Sequence, residues 1–175
     1  MIGQSTRLIF AVIATGLSFA AWSQSTTPNP PPPPPPAEPK PFISSGELAD
    51  LLSKADAARQ AGNTTPNTAL LRLAPYTANL EYRSVIGSAS LHEKEAELFV
   101  VLDGAGTLVL GGKLVNESRR DASNLSGTAI DGGTSRAVSK GDMFIVPENV
   151  AHWFSSVDSK LAVMTLHIPR FTASP

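Results

Sequence analysis

The region from Thr68 to Ile168 alternates between short apolar runs and turn-forming residues. Seven runs have the length and the β-branched or aromatic content of strands: TALLRLA, NLEYRSVI, ELFVVL, GTLVL, MFIVP, HWFSSV and LAVMTLHI. Pro, Gly, Asn or Asp residues separate the runs, as is typical of strand boundaries, and we expect Gly104 and Gly106 to form one such turn. Short strands with frequent turns predict an all-β antiparallel sandwich or barrel rather than a parallel sheet.

A single helix is predicted ahead of the first strand. Ser44 followed by Glu47 matches a capping box. Apolar residues then recur at helical spacing: Leu48, Leu51, Leu52 and Ala55. Gly62 supplies a stop signal. We expect this N-terminal helix to cover a sheet face or the bottom of a barrel.

Residues 111–140 do not follow the strand pattern. They are polar, rich in small side chains, and longer than a simple hairpin loop. Long connections of this kind are uncommon in compact domains unless they cover a site. We therefore expect the segment to cross one end of the barrel or to cover part of it, with Arg119 and Arg120 as exposed loop charges.

Residues 1–23 have the features of a signal peptide. Arg7 precedes the apolar run LIFAVIATGLSFAA, which is short for a membrane span, and AWS places small residues at the two positions that signal peptidase recognises. An uncleaved anchor is the alternative. Residues 24–41 are rich in proline and predict an exposed polyproline II linker. We expect an exported protein, periplasmic or secreted, with no membrane span after cleavage and a folded domain over residues 42–175.

The composition excludes several classes of function. The chain has 14 Lys and Arg residues against 15 Asp and Glu residues, and neither sign forms a long block. Nucleic acid and anionic membrane surfaces are therefore not expected partners. The chain has no cysteine, which excludes a disulfide framework, a thiolate metal site and a cysteine nucleophile.

The run GDMFIVPENVAHWF resembles the second signature of the cupin superfamily. That signature has a glycine, then a proline after five intervening residues, a second glycine after one more, and a histidine after two more. Gly141, Pro147 and His152 hold three of these places, and Asn149 stands at the second glycine. This place needs a left-handed backbone, which asparagine tolerates better than other residues with a side chain. We expect the turn to aim His152 into a barrel mouth while Trp153 packs on the opposite face.

The run SASLHEKEAELFVVLDGAG resembles the first cupin signature, which is His-x-His, three or four residues, Glu, six residues and Gly. Counting back from Gly104 places the glutamate at Glu97. The second histidine is then His92, and Ser90 stands in place of the first. A rival alignment takes His92 as the first histidine and Lys94 as the second, but it leaves too few residues before Glu97 for a hairpin. We prefer the first alignment, in which Ser90 and His92 share one strand face.

The resemblance implies the cupin fold, a double-stranded β-helix or jelly-roll barrel, with His92, Glu97 and His152 converging at its mouth. Two imidazoles and a carboxylate suit a borderline divalent metal ion such as Fe, Mn, Ni, Zn or Cu. Most metal-binding cupins have three histidines and a glutamate, so one ligand is missing here. His167 is a candidate fourth ligand if the odd-numbered residues of the last strand face inward, an inference that a one-residue register slip would reverse.

Two hypotheses of function follow, because fold alone does not select an activity. In the first, an exported cupin binds a divalent metal and acts on a small organic molecule, with dioxygenase, isomerase and lyase chemistry all open. In the second, the domain is a metal-free module that binds or senses a small ligand without catalysis. Glu93, Lys94 and Glu95 are expected to form a solvated turn, with Lys94 as an acid or cation near the pocket as the alternative. The resemblance also implies a homodimer.

Overall fold

The computed structural model describes residues 37–62 and 67–170. The predicted signal peptide, and residues 24–36 of the predicted linker, lie outside the described residues. The elements within the described ranges, in chain order, are α1 (Ser45–Gln60), β1 (Thr68–Leu73), β2 (Tyr76–Arg83), β3 (Ala89–His92), β4 (Glu95–Leu110), β5 (Lys113–Val115), β6 (Ser118–Arg119), β7 (Asn124–Gly127), β8 (Ala129–Asp131), β9 (Thr134–Ser139), β10 (Met143–Val146) and β11 (His152–Pro169). None of the described residues forms a helix with the length and apolar character needed to cross a membrane.

The predicted capping box begins the helix α1. The Ser44 hydroxyl accepts a hydrogen bond from the Glu47 backbone N–H at 3.1 Å, and the Glu47 carboxylate accepts one from the Ser44 backbone N–H at 3.0 Å. The apolar side of the helix packs on the sheet, where the contacting residues include Leu48, Leu51, Leu52, Leu70 and Leu80. The helix therefore covers a sheet face, which was the first of its two predicted positions.

Antiparallel strands form the predicted jelly-roll barrel. Strand β11 is central, since it pairs with β4 along one edge and with β2 and β3 along the other. The second edge of β4 pairs with β10 and β9. The buried side chains that fill the interior are Phe99, Val101, Leu108, Val138, Val146, Phe154, Leu161 and Val163. This apolar core occupies the barrel on the side of β11 that faces away from α1.

Four of the predicted short strands are joined in the structure into two long strands. The runs ELFVVL and GTLVL lie within β4, and HWFSSV and LAVMTLHI lie within β11. The prediction of a turn at Gly104 and Gly106 is therefore wrong. A Cβ atom at Gly104 would lie 2.1 Å from the carbonyl oxygen of Lys160, and one at Gly106 would lie 2.4 Å from that of Ser156. The two glycines allow the backbones of β4 and β11 to approach closely, at the place where the register between these strands is irregular.

Residues 111–140 contain five short strands, β5 to β9, although their sequence has no strand pattern. Strand β7 pairs with β3, and β9 pairs with β4, whereas β5 and β8 form a two-stranded sheet. These strands are short and carry few apolar side chains, so the sequence does not identify them. In β9 only Val138 is buried, so the strand lacks the apolar alternation that normally identifies one.

Candidate metal centre

The turn after β10 places His152 in the barrel. Asn149 has a φ of 60°, which confirms the predicted left-handed backbone. Its backbone N–H donates a hydrogen bond of 2.8 Å to the carbonyl oxygen of His92. His152 then begins β11 and is 7% exposed. Trp153 lies on the other face of the strand and donates its indole N–H to the Gly87 carbonyl oxygen at 2.8 Å, as the alternation of side chains requires.

The first motif delivers His92 and Glu97 from successive strands. His92 ends β3, and the chain bends at Glu93 and Lys94, whereas Glu95, expected in the turn, already belongs to β4. The two strands do not pair with each other, because they lie along opposite edges of β11. Burial alternates along the start of β4, which places Glu97 on the same inward face as Phe99.

These three side chains meet at one buried carboxylate oxygen. Nε2 of His92 lies 3.2 Å from Oε2 of Glu97, and Nε2 of His152 lies 3.1 Å from the same atom. Each of the three residues offers one ligand atom, and these atoms lie within 4.8 Å of one another. The structure therefore brings together the three residues that the two motifs predicted, and we call this group the His92–Glu97–His152 cluster.

The cluster has the dimensions and chemistry of a metal site. Two ligand atoms that each lie about 2.1 Å from one ion, at octahedral or tetrahedral angles, are about 3.0 to 3.4 Å apart. Both Nε2-to-Oε2 distances fall in that range. Oε2 of Glu97 is buried and has no hydrogen-bond partner of regular geometry among the residues that the structure describes. A buried polar atom of this kind is costly unless something satisfies it, and a bound cation would do so.

The protonation of Glu97 suits a cation ligand. Burial raises the pKa of its carboxyl, but the approach of His152 and His92 outweighs burial and lowers the pKa to about 2. Burial lowers the pKa of His92, whereas Glu97 and Asn124 outweigh that effect and raise it. The carboxylate of Glu97 therefore carries a negative charge at neutral pH, at a buried position in the barrel.

His167 lies beside the cluster. It is the direct cross-strand neighbour of Glu97 in the pairing of β11 with β4. Its Nε2 is 3.5 Å from Oε1 of Glu97, and its ring meets the ring of His92 edge-on at 4.6 Å. Val163 packs in the same core as Phe99, whereas Ala162 and Met164 pack on the side of α1, so the predicted inward parity of the odd-numbered residues is confirmed. His167 is more exposed than the three cluster residues, with 34% of its side chain exposed.

Sequence reasoning missed two residues that contact the histidines. Asn124, in the segment expected to be a cover, places Oδ1 2.6 Å from Nδ1 of His92. Glu95, expected to lie in a solvated turn, places Oε2 3.0 Å from Nδ1 of His167. No local spacing could reveal the first contact, because it depends on the register between β3 and β7.

A cavity of about 490 Å³ lies near the cluster, separated from it by one layer of residues. Its lining residues are Lys94, Glu95, Asp121, Ser123, Asn124, Pro169 and Arg170. No residue of the cluster lines the cavity, but two lining residues contact histidines of this region: Asn124 contacts His92, and Glu95 contacts His167. Arg170 is paired with Glu148, whereas Lys94 is exposed.

Comparison with known proteins gives one family and several similar folds. The family model described as Cupin matches residues 53–169. Among solved structures, hydroquinone 1,2-dioxygenase from Sphingomonas sp. TTNP3, with 4-hydroxybenzoate bound, is 18% identical with a TM-score of 0.46, over 64% of this chain and 71% of that one. A Bacillus halodurans protein is 15% identical with a TM-score of 0.48, over 77% and 86% of the two chains. A cupin protein from Bacteroides fragilis is 13% identical with a TM-score of 0.42, over 63% and 81%. No curated protein matches the chain.

Proposed function

This chain belongs to the cupin family, and from that premise we propose that it binds a divalent metal ion through His92, Glu97 and His152 and acts on a small organic molecule. The observation that carries the proposal is the buried Oε2 of Glu97, which lies within 3.2 Å of two imidazole nitrogens and has no hydrogen-bond donor of regular geometry within residues 37–62 and 67–170. Nitrogen and carboxylate ligands together suit Fe, Mn, Ni, Zn or Cu.

The side chains that would bind the metal are held firmly in place and are partly shielded from water. His152 and Glu97 are almost completely buried, and Phe99 packs against the ring of His152 with 5.6 Å between the ring centroids. Such packing limits the movement of the imidazole and excludes water from one side of the cluster. His167 is positioned to supply a fourth ligand after a small side-chain movement, which would compensate for Ser90. A bound ion would act as a Lewis acid on an oxygen atom of the substrate.

The nearby cavity is the place where a small organic molecule would bind. Its volume of about 490 Å³ falls in the usual range for sites of this kind. Lys94 offers an ammonium group at the cavity wall, and Glu95 offers a carboxylate beside His167. A substrate with an oxygen donor at one end could reach the cluster from this side while these charged groups hold its other end.

Elemental analysis of the purified protein tests the metal proposal. We expect near-stoichiometric metal in the wild-type protein and its loss in His92→Ala, His152→Ala and Glu97→Gln. The matched control is Glu117→Gln, which changes an exposed glutamate in the same way and should keep the metal. Circular dichroism establishes that each variant is folded. A folded wild-type protein that takes up no metal, or variants that retain it fully, would refute the proposal; a metal-free protein carrying an organic ligand would favour the alternative binding module.

We also propose that the protein is exported to the periplasm or secreted, on the basis of the sequence of residues 1–23. Expression of the full chain in a Gram-negative host tests this. The periplasmic fraction should contain protein whose mass corresponds to loss of residues 1–23, and retention of the full mass in the cytoplasm would contradict it. The homodimer and the domain boundary at residue 42 stay predictions.

A further inference from the structure

Asn124 and His92 are direct partners across two paired strands. In the register of β3 with β7, His92 lies opposite Asn124. Side chains in such positions project to the same side and are close enough to contact each other. Here Oδ1 of Asn124 lies 2.6 Å from Nδ1 of His92, so the two atoms share a short hydrogen bond.

The direction of this hydrogen bond is fixed by a third residue. The Asn124 amide nitrogen donates to Oδ2 of Asp121 at 2.8 Å. A carboxylate can only accept, so the NH₂ group of Asn124 must face Asp121 and its carbonyl oxygen must face His92. The imidazole nitrogen opposite a carbonyl oxygen must be the donor. Nδ1 of His92 therefore carries the proton.

The loop that presents Asp121 is held against the turn that follows His92. Arg119 forms two hydrogen bonds of 2.9 Å with the carboxylate of Glu93. The Glu93 backbone N–H donates to the Ser123 carbonyl oxygen at 2.8 Å, and the Ser123 backbone N–H donates to Asp121 at 2.8 Å. These contacts keep the carboxylate of Asp121 in place as the fixed end of the chain of hydrogen bonds.

The competing acceptor for the imidazole proton is Glu97. If the proton were on Nε2, it would face Oε2 of Glu97 at 3.2 Å, but that pair lacks hydrogen-bond geometry. The geometry thus favours the tautomer with the proton on Nδ1, which leaves the lone pair of Nε2 directed into the cluster.

We propose that Asn124, oriented by Asp121, is a positioning residue that holds His92 in the Nδ1–H tautomer and aims its Nε2 lone pair at the metal site. The role in metal binding rests on the proposed function, whereas the tautomer is a property of the metal-free protein. Partners of this kind, which contact a ligand rather than the metal, typically contribute about 10- to 100-fold in metal affinity.

The test compares Asn124→Leu, which has nearly the same shape without an acceptor, with Asn124→Asp in an Asp121→Asn background, which keeps an acceptor for Nδ1–H and a donor between residues 121 and 124. Imidazole ¹⁵N NMR of metal-free protein at alkaline pH, where imidazoles are neutral, assigns the tautomer of His92. We expect the Nδ1–H form in the wild-type protein and in the double variant, and a shift toward Nε2–H in Asn124→Leu. Titration with Co²⁺ should show an affinity about 10- to 100-fold lower for Asn124→Leu, with substantial rescue in the double variant.

The outcomes separate this inference from the proposed function. A folded Asn124→Leu variant that keeps the Nδ1–H tautomer, or that binds Co²⁺ as tightly as the wild type, would overturn the inference while leaving the metal site in place. A wild-type protein that fails to bind Co²⁺ would refute the proposed function, and the tautomer shift in Asn124→Leu would still support the hydrogen-bond arrangement.

Discussion

The backbone N–H of Asn149 donates a hydrogen bond of 2.8 Å to the carbonyl oxygen of His92. This contact joins the turn of the second motif to the last residue of the strand in the first motif. His152 follows the turn by three residues, so its position relative to His92 depends on the conformation at Asn149. The cluster is therefore connected through its backbone as well as through its side chains.

We predict that Asn149→Ala lowers the free energy of unfolding by about 1 kcal/mol, because Asn149 has a φ of 60° and alanine is disfavoured there. Asn149→Gly is the control, since glycine accepts this backbone and should stay within about 0.5 kcal/mol of the wild type. Denaturant unfolding measures both values. Equal stability of the two variants would show that the left-handed conformation is not a significant constraint.

The parts of the structure that the sequence predicted are those specified locally. The capping box at Ser44 and the left-handed position at Asn149 each depend on a few neighbouring residues, and both have the expected geometry. The convergence of His92 with His152 is not local. It was predicted because the two runs resemble signatures of one family, and each run places its residue at a strand end.

The features that the sequence did not predict depend on pairing between distant strands. Asn124 contacts His92 only because β7 pairs with β3 in one register, and β7 lies in a polar segment without an apolar pattern. Gly104 has the usual character of a turn residue, but its lack of a Cβ atom is required by Lys160 on the neighbouring strand. Glycine alone does not distinguish a turn from a close approach of two backbones.

Alanine at Gly104 should lower the free energy of unfolding for two reasons: the positive φ of the backbone and the close approach of β11. Gly104 and Gly111 have φ values of 82° and 76°, so alanine should cost each about 1 to 2 kcal/mol in conformational strain. A Cβ atom at Gly104 would collide with the Lys160 carbonyl oxygen, whereas one at Gly111 would have no atom of the described part of the chain within 4 Å. We expect Gly104→Ala to lose at least about 2 kcal/mol more than Gly111→Ala in urea unfolding. A smaller difference would mean that β11 moves away from β4 at little cost.

Metal binding is expected to stabilise the folded protein, because the ligands are brought together only in the folded state. With free Zn²⁺ at 100 times its dissociation constant, the free energy of unfolding should rise by about 2.7 kcal/mol, and a chelator should reverse the change. The increase should be lost in His152→Ala and kept in Glu117→Gln. Thermal unfolding with and without Zn²⁺ measures the effect, and an increase that persists in a folded His152→Ala protein would place the ion elsewhere.

His167 and Ser90 give a prediction about the fourth ligand. His167 lies opposite Glu97 in the strand register, and Ser90 lies opposite His152. If His167 supplies the ligand that Ser90 cannot, then His167→Ala should lower the affinity for Co²⁺ by at least about 10-fold, the smallest loss expected even for an outer partner. Ser90→His should restore the affinity in the His167→Ala background, because residues 90 and 92 share one face of β3.

Ser118→His is the matched control for that rescue, because it adds an imidazole on the exposed strand β6 and should restore nothing. Titration of the four proteins with Co²⁺, followed by its visible absorption, measures both the affinity and the change in coordination. An unchanged affinity in His167→Ala would show that three protein ligands hold the ion. Rescue by both added histidines would mean that the gain comes from a nonspecific imidazole rather than from the position of residue 90.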